Sequence, residues 1–141
     1  MGASSSQGGW SSPQAVSILA SDPNACAKVR GAVTQTANNV ITAAGLQLLG
    51  TGTVTLNESG NNVATLAANY NGTIAYTDAN ALTIGTVTDG PSGMTSSGIT
   101  TSDDDVKLTV LAGGLTIGDA VGTAGTDDIT LGTGNLTLNV V

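Results

Sequence analysis

The chain has 141 residues, of which three are basic and ten acidic, with no histidine and a formal charge of −7. So few bases exclude the phosphate-neutralising surface that nucleic acid or anionic lipid requires, and the single Cys26 excludes an internal disulfide. With no Phe, one Trp and two Tyr, a globular core built on aromatic bulk is excluded as well.

Residues 1–30 contain no threonine, are rich in serine, and hold Trp10, Cys26, Lys28 and Arg30. Met1 to Ser12 reads as flexible polar chain. Pro13 to Ala20 is expected to form a short helix, ending before the turn signal Asp22-Pro23-Asn24. No charged stretch leads into an apolar one, so no signal peptide is expected, and no apolar run is long enough to cross a bilayer. The segment is read as a non-repeating leader or as a cap on whatever follows.

From Gly31 onward threonine is abundant and the pattern is strand and turn. Strands are expected at Ala32–Thr36, Val40–Thr42, Leu46–Leu49, Val54–Asn57, Val63–Ala67, Thr73–Tyr76 and Ala81–Ile84. Further strands are expected at Ile99–Thr101, Val106–Val110, Gly114–Ile117, Asp128–Leu131 and Asn135–Leu138. Turns fall at Gly50, Gly60-Asn61-Asn62, Asn71-Gly72, Gly85, Gly113-Gly114, Gly118, Gly125 and Gly132 to Gly134. Asp89 to Gly98 breaks the rhythm and reads as a protruding loop.

An apolar–Thr–apolar triplet recurs throughout: Val54-Thr55-Leu56, Leu82-Thr83-Ile84, Leu108-Thr109-Val110, Leu115-Thr116-Ile117, Ile129-Thr130-Leu131 and Leu136-Thr137-Leu138. Leu108 to Ile129 and Leu115 to Leu136 are both 21 residues apart. Such self-similarity predicts stacked coils, with like strand on like strand in parallel and a thin core of Val, Ile, Leu and Ala. The fold expected is all-β, a right-handed parallel β-helix over residues 31–141 with a short N-terminal segment before it.

The segments Gly31 to Thr36, Ile41 to Gly50, Asn61 to Ala68 and Tyr76 to Gly85, with Gly98 to Thr101 and Gly114 to Gly118, resemble the repeats of filamentous-haemagglutinin-like exoproteins. The resemblance spans residues 31–141 and implies a right-handed parallel β-helix in the shaft of a large secreted adhesin. It implies localisation at the cell surface as part of a longer exported chain, with host-cell or matrix glycans and proteins as partners of the parent adhesin. No secretion-domain segment accompanies it.

The residues that carry chemistry are few. Asp103, Asp104, Asp105, Asp127 and Asp128 are candidate Ca²⁺ ligands, as clustered carboxylates supply the oxygen donors that cation needs. Acidic pairs also raise polysaccharide cleavage, but without histidine and with one Arg, no catalytic residue and no cofactor is assigned. Thr34-Gln35-Thr36, Thr51 to Thr55 and Thr86-Val87-Thr88 are candidate ice-binding arrays that do not recur at one place in every coil. Tyr70 and Tyr76 are read as covering corners. Asn57, Asn71 and Asn135 begin glycosylation sequons. The expected role is therefore a non-catalytic shaft, with a small Ca²⁺- or ice-binding module as the alternative. Leu136 to Val141 is expected to leave an open edge, with end-to-end self-association there.

Overall fold

The structure, a computed structural model, describes residues 14–16, 26–88, 93–118 and 129–141. In chain order the strands are β1 (Gln14–Val16), β2 (Cys26–Arg30), β3 (Val33–Gln35), β4 (Thr42–Thr51) and β5 (Val54–Leu56). Then follow β6 (Asn62–Asn71), β7 (Ile74–Asp78), β8 (Leu82–Ile84), β9 (Thr86–Thr88) and β10 (Thr95–Ser97). The last are β11 (Ile99–Thr100), β12 (Val106–Val110), β13 (Leu115–Ile117), β14 (Ile129–Thr130) and β15 (Leu136–Val140). The protein is all-β, and among the described residues no helix is long and apolar enough to cross a membrane.

The strands form two parallel ladders that the chain visits alternately. One runs β1-β3-β5-β7-β12-β15; the other links β2, β4, β6, β8, β11, β13 and β14. The triplets explain the core. In β5, β8 and β12 the two apolar residues are buried and the threonine between them is partly open, as the period of a strand dictates. Val33, Val54 and Ile74 stack in one row, and Leu56, Tyr76 and Leu108 in the next. All six side chains are buried, so each coil closes the apolar side of its neighbour.

The stacking period differs from the expected one. Leu108 pairs with Leu138, 30 residues on, and Leu115 with Leu82; the 21-residue spacings from Leu108 to Ile129 and from Leu115 to Leu136 each join one ladder to the other. The true recurrence lies earlier, where Val33 pairs with Val54, Val54 with Ile74 and Thr42 with Asn62, at intervals of 21, 20 and 20 residues. Later coils are longer because they are interrupted at one point. On β6, Leu66 pairs with Ile84 but Ala68 pairs with Ile99, so residues 86–98 are an insertion within a single rung. One coil further on, Ile117 pairs with Ile84 and Ile129 with Ile99; residues 119–128 lie outside the described ones.

Three expectations are corrected. Gln14–Val16 is a strand and not a helix, paired in parallel with β3; residues 17–20 and the turn at 22–24 lie outside the described residues. Because its partner offers a free ladder edge, hydrogen bonding there outweighs local helix preference. The described strands of residues 1–30 also do not stand apart, since β1 and β2 extend both ladders at an offset of 19 residues. Finally, Thr95–Ser97 is not loop: it pairs antiparallel with β9, and the hairpin lies on β4 and β6.

Asn71-Gly72 turns the corner from β6 on one ladder to β7 on the other, with no hairpin. Gly72 has φ +148°, and a Cβ there would collide with the carbonyl oxygen of Gly52 in the coil below. Only glycine permits so close a backbone approach.

Candidate functional site

Polar side chains concentrate at two corners. The first joins the early coils. Asn61 is fully buried, and its Oδ1 accepts from the Ile41 backbone N–H at 2.9 Å and from Gln35 Nε2 at 2.6 Å. Its Nδ2 donates to Gln35 Oε1, Leu56 O and Thr77 O at 3.0, 3.3 and 3.1 Å. Gln35 also receives the Glu58 N–H, and Glu58 Oε2 receives the Asn38 N–H. Two side-chain amides thus tie three successive coils together, which satisfies backbone groups that a tight turn would otherwise leave unpaired.

One coil on, Asp78 is fully buried at the end of β7. Its Oδ2 accepts from Val63 N–H at 2.8 Å and Tyr76 O–H at 2.6 Å, and its Oδ1 from Asn80 N–H at 2.9 Å. Tyr76 lies in the core row and not over a corner. Burial pushes its phenol far above the ordinary value of 10.0, and the adjacent Asp78 carboxylate adds to the shift. Tyr70, buried with its hydroxyl donating to Thr51 O at 3.1 Å, is raised by burial alone.

The second corner holds Asp103, Asp104 and Asp105. Asp103, at φ 66°, accepts from Thr133 N–H at 2.8 Å and Thr133 Oγ1 at 3.1 Å. Asp105 accepts from Asn135 N–H and Nδ2 at 2.8 and 3.0 Å. The Asp104 backbone carbonyl receives Thr101 Oγ1 at 3.0 Å, and its Oδ2 is enclosed without a hydrogen-bond partner among the described residues. These carboxylates pin the next coil, which replaces solvent with backbone donors at two of the three. Among the described residues no group of three or more His, Cys, Asp or Glu could hold a metal, and Asp127 and Asp128 lie outside them.

The outward threonines are more ordered than their sequence spacing implies. Thr34 stacks on Thr55, and Thr65, Thr83 and Thr116 form a continuous row on the other ladder. The first column passes on through Ala75, Lys107 and Thr137. Thr86 and Thr88 lie instead on the hairpin, where they bond Ser97 and Thr95 at 2.8 and 2.9 Å.

Beneath that hairpin is Gln47, a residue that strand alternation sends outward yet which is fully buried. Its Nε2 donates to Ser96 Oγ at 2.9 Å, Met94 O at 3.3 Å and Val87 O at 3.5 Å, and its Oε1 has no partner among the described residues. Ala67, in register with Gln47, is covered by the same strands. A lone polar residue between Leu46 and Leu48 is the only sequence signal for this contact. Of the sequon residues, Asn57 and Asn71 are exposed, and Asn135 is engaged by Asp105. Trp10 and the side chain of Cys26 lie outside what is described. Compared with protein-family models, curated proteins and solved structures, the chain matches none.

Proposed function

We propose that the chain is a non-catalytic structural segment of an exported, cell-surface adhesin, coiled as a right-handed parallel β-helix that spaces and displays inserted segments. The observation that carries this is the insertion of residues 86–98: Ile99 resumes the ladder beside Ala68 as if nothing intervened. A scaffold whose stacking is indifferent to what is inserted suits display, and the polar side chains at its corners are occupied in joining coil to coil. Resemblance to filamentous-haemagglutinin-like repeats supports the same role. Host glycans or matrix proteins are then partners of the parent protein through its displayed segments.

Antibody raised against the purified chain is expected to label intact cells of the producing organism. Labelling only after permeabilisation would overturn the surface role, and a left-handed coil in a crystal structure would overturn the handedness.

A second reading, a small ice-binding module, draws on the aligned row Thr65, Thr83 and Thr116. Thermal hysteresis in solution would favour it. A melting temperature that rises with added Ca²⁺ would instead favour a cation site at Asp103–Asp105.

A further inference from the structure

The hairpin of β9 and β10 lies on a face whose ladder is complete without it. Leu46, Leu48 and Leu66 fill the core from the inner side of β4 and β6, and the register of those strands runs unbroken beneath the hairpin. β9 and β10 pair with each other and with no other described strand. Val87 and Ser96 face down, at 4 and 7 % exposed, while Thr86, Thr88 and Thr95 face outward. One valine and one serine bury little apolar area, so the hydrophobic hold on this cover is small.

The residue underneath matches two environments. Gln47 is 0 % exposed; its Nε2 holds three acceptors on the hairpin, and its Oε1 has no partner among the described residues. A position sealed for good favours an apolar side chain, because a buried amide oxygen without a donor is costly. Ala67, in register one coil on, is such a case. A position alternately covered and wet favours an amide. Covered, its N–H groups tether the hairpin; uncovered, water completes both ends. The root of the hairpin also suits a pivot. Gly98 N–H donates to Gly85 O, and each glycine is tied to β6 by one further backbone bond, Gly85 N–H to Leu66 O and Ala68 N–H to Gly98 O. Gly98 has φ 67°, and a few residues at element ends suffice to absorb a hinge rotation. Above the root, hydroxyl pairs join Thr86 to Ser97 and Thr88 to Thr95, so the two strands move as one piece.

We propose that β9 and β10 form a hinged strap that swings about Gly85 and Gly98. Closed, it is tethered by Gln47; open, it exposes the outer face of β4 and β6 at Gln47 and Ala67 and leaves the ladder intact. This goes beyond the adhesin reading and does not rest on it.

Native-state hydrogen exchange of the unaltered chain, read by NMR, tests this. The strap shields the Gln47 side-chain amide, whereas the pairing of β4 with β2 and β6 shields the backbone N–H groups of Leu46 and Leu48. A strap open ~0.1–10 % of the time gives Gln47 a protection factor of ~10–1,000, which dilute denaturant should leave unchanged. Leu46 and Leu48 should be at least ~100-fold better protected and should lose that protection as denaturant rises. Equal protection and equal denaturant dependence at all three would overturn the proposal, since cover and ladder would then open as one. No protection at Gln47 would overturn the closed state. A second measurement uses a Cys26→Ser background. There Ala67→Cys, under the strap, should react with an alkylating reagent in the native state at least ~10-fold faster than Ala68→Cys, which lies in the core. Equal rates would again overturn the strap.

Discussion

The corner at Asn61 and Asp78 and the corner at Asp103 to Asp105 use one chemistry at opposite burial. In each, a side-chain oxygen of one coil receives a backbone N–H of another: Ile41 and Val63 in the first, Thr133 and Asn135 in the second. Asn61 and Asp78 are fully buried, whereas Asp103 and Asp105 are exposed. Water can replace a lost acceptor at the exposed corner and cannot enter the buried one. The same bond is therefore a condition of folding in one place and a modest convenience in the other.

Mutation at the buried corner should have the largest effect. Asp78→Ala strands the donors of Val63, Tyr76 and Asn80, each at about 1–3 kcal/mol, so a loss of about 4 kcal/mol or more is expected in denaturant unfolding. A loss below about 1 kcal/mol would break the comparison. Next is the contrast along one row. Leu108→Ala should cost about 3 kcal/mol by cavity formation, while Leu138→Ala, its half-exposed partner, should cost under about 1 kcal/mol in the monomer.

Alkali sharpens the difference further. Tyr76 keeps its proton in the native state above the value at which the unfolded chain releases it, so native stability is complete below about pH 10. Beyond that pH it should fall by about 1.4 kcal/mol per unit for this one group. The chain has only two tyrosines, both buried, so absorbance near the tyrosinate band reads them directly. Tyrosinate is expected to appear together with unfolding, and a smooth titration near pH 10 in the folded protein would contradict the burial. The smallest effect belongs to Asp103→Ala, expected to cost about 1 kcal/mol or less because Thr133 can turn to solvent.

The local code is legible in the sequence and the long-range one is not. Alternation in Val54-Thr55-Leu56, Leu82-Thr83-Ile84 and Leu108-Thr109-Val110 identifies strands with threonine outward, and the structure agrees. The period is another matter. Because such triplets occur in both ladders, the distance from Leu108 to Ile129 measures a passage across the coil, and the real repeat is obscured where insertions lengthen it. Asn61, between Gly and Asn, reads as a turn residue. Its burial depends on Gln35, 26 residues away, and no local pattern records that pairing. Gln47 is similar, for only the hairpin folding back over β4 makes an outward position internal. The strands at Gln14 and Cys26 lack the threonines that mark the others, so in sequence they read as part of a separate segment.

Gly85 and Gly98 bracket the inserted hairpin, and the Gly98 N–H donates to the Gly85 carbonyl at 3.1 Å. The exit and re-entry points are thus closed on each other by the backbone itself. What lies between them rests on β4 and β6 and meets Gln47 there, but its two chain ends are already joined, in the way a side chapel leaves the nave standing when it is rebuilt. Replacing residues 86–98 with a longer foreign epitope should then disturb only what the hairpin covers, Gln47 and Ala67, and leave the spacing of the coils intact.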